Sequence, residues 1–237
     1  MTKLSVIVPM YNEENIYGNL QEMIRSLNKN FKDYEIVLVD DGSTNDCLKE
    51  AKRIKSKHLK IVGYKKNQGK GHALKYGFRF VKGDYVTFID ADLDLHPDQI
   101  KTFFDSMDGF DVVVGSKRHP ESKVYYPWFR KLFSWGYHVF VFFLLGVKFK
   151  DTQSGIKLFK KKVLDVVLSK VAVKKYAFDL ELLVVADKYG FRMKEAPIKL
   201  NYKFSGTGVN FKEIFYMFID TLAIFYRLRI LRYYDKK

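Results

Sequence analysis

Apolar runs that alternate with helix-like stretches constrain this chain more than any other feature. Residues 4–8, 35–39, 59–64 and 85–89 are continuous or nearly continuous apolar segments. Runs of this length with no polar alternation read as strands buried on both faces. Between them, residues 12–28, 46–57 and 69–81 read as helices, the first with Glu13 and Glu14 in its opening turn, where acids complement the helix dipole. Residues 97–107 read as a further helix and 111–115 as a fifth strand. Strands alternating with helices predict an α/β fold with a mostly parallel sheet flanked by helices on both faces. In such sheets ligands gather at the carboxyl ends of the strands.

Two of those ends are acidic. Asp40 and Asp41 follow the second strand directly, and Asp90, Asp92 and Asp94 follow the fourth. Carboxylates this close repel one another unless a cation lies between them. Their hard oxygens suit Mg²⁺ or Mn²⁺, ions that commonly hold a substrate's phosphates. Taken alone, the second cluster also reads as a solvated acidic turn before Pro97. The convergence of two acidic clusters on one rim favours a site.

The chain has 237 residues and is 47% hydrophobic, enough for one large α/β domain. Neither an internal repeat nor a low-complexity linker divides it. Residues 1–210 are therefore expected to form the main domain and residues 211–237 a helical tail. The formal charge of +15 favours anionic partners: phosphorylated substrates, anionic lipid or nucleic acid. The lysines are scattered, and no nucleic-acid-binding motif is present, so nucleic acid is not expected. The single Cys47 excludes a disulfide within the chain and fits a reducing compartment. No signal-peptide pattern precedes the first strand.

The aromatic residues are unevenly placed. Residues 125–149 hold eleven Phe, Tyr and Trp, and residues 211–234 hold eight more. Neither segment reads as a membrane span, which needs about 20 apolar residues with few charges. In the tail, Lys212, Glu213, Asp220 and Arg227 share one stripe of a helical wheel, and Arg227, Arg229 and Arg232 lie in its last turns. Such a helix fits the membrane interface, with aromatics in the headgroup zone and arginines on anionic lipid. Packing on its own domain or on a second copy is the other reading. Residues 124–149 are expected to dip into the membrane rather than join the core.

Several stretches carry a resemblance. They are Val8-Pro9-Met10-Tyr11-Asn12-Glu13, Val39-Asp40-Asp41-Gly42-Ser43, Asn67-Gln68-Gly69-Lys70-Gly71 and Asp90-Ala91-Asp92. Further on come Gly115-Ser116-Lys117, the segment from Asp151-Thr152-Gln153-Ser154-Gly155 to Lys157-Leu158-Phe159, and Ala177-Phe178-Asp179-Leu180-Glu181-Leu182-Leu183. Over residues 3–205 the chain resembles GT-A fold, family 2 glycosyltransferases of the polyprenyl-phosphate type. The last two stretches resemble dolichyl-phosphate β-glucosyltransferases and, less closely, dolichyl-phosphate mannose synthases.

The resemblance implies inverting transfer of a hexose from a nucleotide diphosphate sugar, UDP-glucose or GDP-mannose, to a polyprenyl phosphate. It places this at the cytoplasmic face of the cell membrane, with peripheral or monotopic attachment, in protein glycosylation. It implies that Pro9, Tyr11, Glu13, Asp40, Asp90, Ala91 and Asp92 line the donor pocket. Asp92 would be the principal Mg²⁺ or Mn²⁺ ligand, with Asp94 beside it where mannose synthases often carry glutamine. Lys70 would touch a donor phosphate, in a glycine-rich loop that lacks the serine or threonine of a P-loop. Lys203 would clamp the diphosphate, with residues 205–208 as a lid. Lys117, Arg118, Arg130 and Ser134 are implied for the acceptor phosphate, with lysine at 117 where the family has arginine. Arg130 and Ser134, four residues apart, would share a helix face.

Asp179 is expected to orient the acceptor or the sugar, because a phosphate acceptor is already ionised and needs no general base. Two alternatives remain. One is a family 2 transferase acting on a glycan or lipid-linked saccharide hydroxyl, with Asp179 as base. The other is a non-catalytic, basic membrane-surface module. Self-association is left open.

Overall fold

The computed structural model describes residues 3–124, 128–147, 149–152, 154–174, 176–200 and 211–235, with only the backbone of residues 128–133 and 211. Among the described residues, the five apolar runs and two further strands form a seven-stranded sheet. Its members are β1 (Leu4–Met10), β2 (Tyr34–Asp41), β3 (Leu59–Tyr64), β4 (Tyr85–Phe88), β5 (Val112–Ser116), β7 (Lys157–Lys160) and β8 (Met193–Pro197). Two short strands, β6 (Lys123–Val124) and β9 (Lys199–Leu200), pair separately. The order is β3-β2-β1-β4-β7-β5-β8. All neighbours run parallel except β7, which is antiparallel to both β4 and β5.

Helices cover both faces, as the continuous apolar strands require. The helices are α1 (Ile16–Asn30), α2 (Cys47–Lys52), α3 (Lys70–Phe78), α4 (Gln99–Asp105), α5 (Trp128–Leu145), α6 (Lys161–Val167), α7 (Phe178–Lys188) and α8 (Phe211–Phe225). A π-helical turn, Tyr226–Ile230, extends α8, and a 3₁₀ turn, Tyr233–Asp235, follows. Alternate residues of β2 separate the two cores. Ile36 and Leu38 join Leu20 and Met23 of α1 and Phe103 of α4, whereas Val37 and Val39 join Leu74 of α3 and Leu183 of α7.

The first helix begins later than its acids suggest. It starts at Ile16, so Glu13 and Glu14 precede it and its first turn holds no acid. Asn12 causes the delay. Its backbone turns to φ 53°, and its side-chain oxygen accepts the Thr44 N–H at 2.8 Å. That contact ties the end of β1 to the loop after β2.

The aromatic segment at 124–149 contributes to the core it was expected to avoid, and the tail follows the reading in which it packs on its own domain. In α5, Tyr137, Val141 and Leu145 recur at helical spacing and are buried in the core. The opposite side bears Trp135, Phe142 and Phe143, all exposed. The segment is thus half core and half bare surface. In α8, Thr221 and Ile224 face inward, while Phe215, Ile219 and Leu222 are exposed. The tail's charged stripe does not all face water: Asp220 accepts the Ala177 N–H at 3.4 Å, and Arg227 pairs with buried Glu181. The two helices meet through Tyr137, whose hydroxyl lies 2.9 Å from that of Thr221, and through the Phe140–Phe218 ring contact. Among the described residues no helix is long and apolar enough to cross a membrane.

Candidate active site

The carboxyl ends of β1, β2 and β4 open onto a cavity of about 290 Å³. It brings together most of the expected donor-site residues: Pro9, Tyr11, Glu13, Lys70, Asp90, Ala91 and Asp92. Parallel pairing explains the meeting, because β1 is hydrogen-bonded between β2 and β4 and all three end at the same rim. Glu13 is held by Asn19, whose side-chain amide also donates to the Ala91 carbonyl at 2.9 Å. Tyr11 stands exposed at the mouth.

Asp40 occupies a neighbouring cavity of about 470 Å³, lined also by Gly42, Ser43, Gly63, Tyr64 and Lys65. Its side chain accepts the Ser43 N–H at 3.1 Å. The next residue, Asp41, points to the other face of β2 and lines the first cavity instead. Asp41 belongs to the acidic doublet expected at this rim, although no separate role is expected for it. Its carboxylate accepts from Tyr64 Oη (2.7 Å), Asn67 Nδ2 (3.0 Å) and the backbone N–H groups of Gln68 (2.8 Å) and Gly69 (2.9 Å). The doubled acid at a strand end is the one signal that points to it. These bonds organise the glycine-rich loop around a protein carboxylate, so its amides are not arrayed as in a P-loop. Burial and Asp41 together push the Tyr64 hydroxyl pKa up.

Lys70 opens α3 and reaches across the cavity to Asp90, Nζ to Oδ1 2.6 Å. Burial alone would lower its pKa, but Asp90, Asp179 and Asp92 raise it, so it stays charged. Asp92 is exposed at the cavity, and partial loss of water around its carboxylate, with Asp90 nearby, pushes its pKa up. It also accepts the Asp94 N–H at 3.0 Å. Asp94 is not among the residues lining the cavity. Among the described residues no three His, Cys, Asp or Glu side chains converge as a ligand set. Asp92 still fits a hard divalent ion: it is an oxygen donor at the solvent side of an anionic pair that one lysine only partly neutralises. A bound diphosphate and water would supply further ligands.

The rim continues with the far half of the chain. Because β7 runs antiparallel, its first residue, Lys157, lies at the same end as the last residues of β4, in register with Phe88. Lys157 is 1% exposed, and its amine donates to Asp179 Oδ1 at 2.8 Å and to the Ser154 carbonyl. Burial would raise the Asp179 pKa, but Lys157 and Lys70 hold it below the ordinary carboxylate range. Asp179 is therefore a fixed, ionised partner of a buried lysine. In sequence, Lys157 stands out only as part of the Ser154–Phe159 stretch, and nothing there marks it as this partner.

The candidate acceptor residues are only partly assembled. Lys117 follows β5 at this rim, where its amine lies 3.3 Å from Asp151 and its backbone N–H donates to the same carboxylate. Arg118 donates to Ser134 Oγ at 3.1 Å, which joins two of the residues expected at the acceptor phosphate. The side chain of Arg130, Lys203 and the expected lid at 205–208 lie outside the described residues.

Comparison with known proteins agrees with this architecture. The chain is 30% identical to a dolichyl-phosphate beta-glucosyltransferase of Saccharomyces cerevisiae, over 82% of this chain and 66% of that protein. It is 31% identical to the human protein of that name, over 84% and 67%, and 32% identical to one from Trichomonas vaginalis, over 99% and 77%. The chain thus spans about two thirds of the length of the yeast and human relatives. Among solved structures, glucosyl-3-phosphoglycerate synthase from Mycobacterium tuberculosis, in complex with Mn²⁺, UDP and phosphoglyceric acid, superposes with a TM-score of 0.71. That match covers 95% of this chain and 78% of the other at 19% identity, a likeness of fold alone. The same synthase has also been crystallised with Mg²⁺ and UDP. The family model for Glycosyl transferase family 2 matches residues 5–168, well over half of the chain, and the protein belongs to that family.

Proposed function

We propose that this protein transfers a hexose, glucose above mannose, from a nucleotide diphosphate sugar to a polyprenyl phosphate such as dolichyl phosphate, with inversion at the anomeric carbon. The observation that carries the reading is the Lys157–Asp179 pair. A hydroxyl acceptor needs a base able to take its proton near neutral pH. Asp179, the expected base of the hydroxyl-transfer alternative, is tied to a buried amine and has a lowered pKa. A phosphate acceptor arrives already ionised. The names of the similar glucosyltransferases point the same way.

In this reading the nucleotide enters between Asp40 and the Pro9–Tyr11 segment, and its diphosphate lies toward Lys70 and Asp92. Asp92, with Asp94 close in sequence, would hold Mg²⁺ or Mn²⁺. The bound ion would neutralise charge on the departing diphosphate. The lipid phosphate oxygen attacks the anomeric carbon from the opposite side while the carbon–oxygen bond to the nucleotide breaks. Lys70 leaves Asp90 for the diphosphate as it binds. Lys117, Arg118 and Arg130 hold the acceptor phosphate, Ser134 supports Arg118, and Lys203 closes on the diphosphate. Residues 1–210 form the catalytic unit, and residues 211–237 dock it. The bare faces of α5 and α8, with Arg229 and Arg232 following, suit the surface of an anionic bilayer.

The test is incubation of the purified protein with UDP-glucose, GDP-mannose and other nucleotide sugars. Dolichyl phosphate and the corresponding free alcohol serve as acceptors, with and without Mn²⁺, and the lipid is then mass-analysed. A hexosyl phospholipid formed from the phosphate alone, and lost in EDTA, is the expected result. Transfer to the free alcohol instead would overturn the reading.

A further inference from the structure

Glu181 lies in the first turn of α7 and is 0% exposed, yet it belongs to neither cavity wall described above. A buried carboxylate is retained only where its oxygens are satisfied. Here each oxygen serves a different part of the chain. Oε2 accepts the backbone N–H groups of Ala172 at 2.8 Å and Val173 at 2.6 Å. Oε1 accepts Arg227 Nε at 3.0 Å and the Tyr234 hydroxyl, two groups of the C-terminal segment. Arg227 Nε also reaches the Tyr234 oxygen at 3.1 Å, which closes the cluster.

The strap held by Oε2 leads to the donor site. The Lys174 carbonyl accepts the Gly71 N–H at 2.9 Å, and the Val171 carbonyl accepts the Lys75 amine at 2.8 Å. Residues 171–174 are therefore stitched to the first two turns of α3. That end of α3 is also pressed on α7: a Cβ on Gly71 would collide with the Phe178 ring. Lys70, the residue before Gly71, carries the amine that meets Asp90. An unbroken series of hydrogen bonds and close contacts thus joins the C-terminal segment to that amine through one carboxylate.

We propose that Glu181 is a positioning residue, which fixes residues 171–174 against the C-terminal segment and thereby sets Lys70 for the donor diphosphate. The assignment rests on the reading of Lys70 as a diphosphate contact. It makes the C-terminal segment part of the donor site's support as well as a surface. Glu181→Gln keeps the shape but removes the charge that Arg227 answers.

The experiment is a double-mutant cycle on affinity for UDP-glucose in Mn²⁺, measured by calorimetry well below the melting temperature of every variant. Glu181→Gln should weaken binding about tenfold, and should add almost nothing once Lys70→Ala is present. Met23→Ala, which opens the other core, should lower the melting temperature without changing affinity. Full additivity of the Glu181 and Lys70 losses would overturn the proposal and leave the role of Lys70 standing. So would unchanged affinity in Glu181→Gln. Unchanged affinity in Lys70→Ala alone would remove the reading of Lys70, and the proposal with it. Should Glu181→Gln not fold, Tyr234→Phe, which deletes one bond to the same oxygen, carries the cycle with a smaller loss, about threefold.

Discussion

Asp179 and Asp92 show how differently two carboxylates of one site are treated. Asp179 is neutralised within the protein by Lys157, whereas Asp92 stands at the open side of the cavity. Removing Asp92 should therefore act on the transition state. Asp92→Ala is expected to lower turnover about 10³-fold with little change in melting temperature, measured by steady-state kinetics and calorimetry. Breaking the buried pair should act on stability. Lys157→Met removes the amine bonded to Asp179 and should cost about 3–5 kcal/mol of unfolding free energy, read by denaturant titration. Asp179→Asn should reduce turnover yet leave the pH profile unchanged in shape between about pH 6 and 8, because the native carboxyl titrates below its ordinary range. Loss of the acidic limb of that profile, where activity rises as a base gives up its proton, would identify Asp179 as a base. At this scale the sequence exposes the acids but not their partners. The cluster at 90–94 and the doublet at 40–41 are visible as charges after apolar runs. Which face of β2 each acid takes depends on register, and the antiparallel setting of β7 brings Lys157 to the rim from 67 positions beyond Asp90 in the chain.

At the scale of elements, strands are more legible than helix ends. Continuous Val, Ile and Leu mark β1, β2 and β5 because both sides of the sheet are covered. Glu13 and Glu14 suit a first turn and so suggest an early start for α1, but the turn at Asn12 is fixed by a tertiary bond to Thr44 that local pattern does not reveal. The aromatic content of α5 and α8 is plain in the sequence, but its division between core and surface is not, since both faces of each helix are apolar. The exposed side of α8 makes a prediction. Phe215→Glu combined with Ile219→Glu should reduce sedimentation with vesicles containing anionic lipid at least about tenfold and shift the melting temperature little, because both side chains are already exposed. Salt should weaken binding of the unaltered protein, through the charge of Arg229 and Arg232.

At the scale of the whole molecule, the edge of the sheet near β5 and β8 is fastened by Asp111. Burial would raise its pKa, but Lys162, the Arg192 N–H and Lys160 hold it at about 2. A carboxyl depressed in the folded state adds stability that is complete above its unfolded value of about 3.9 and fades as pH falls toward about 2. Asp111→Asn should therefore cost about 1–2 kcal/mol at pH 7 and almost nothing near pH 2, as measured by urea titration at the two pH values.

The reversed strand β7 carries a consequence for folding. In the native register Lys157 faces Phe88 and Phe159 faces Val86. Sliding β7 by two places would seat an aromatic ring where the amine belongs. Sliding it by one would turn the amine toward the opposite layer of helices. Either mispairing would strand Asp179 without the amine it is bonded to. Correct alignment of a four-residue strand is thus enforced by electrostatics as well as by apolar fit, and catalytic competence serves as a readout of whether that ribbon found its place.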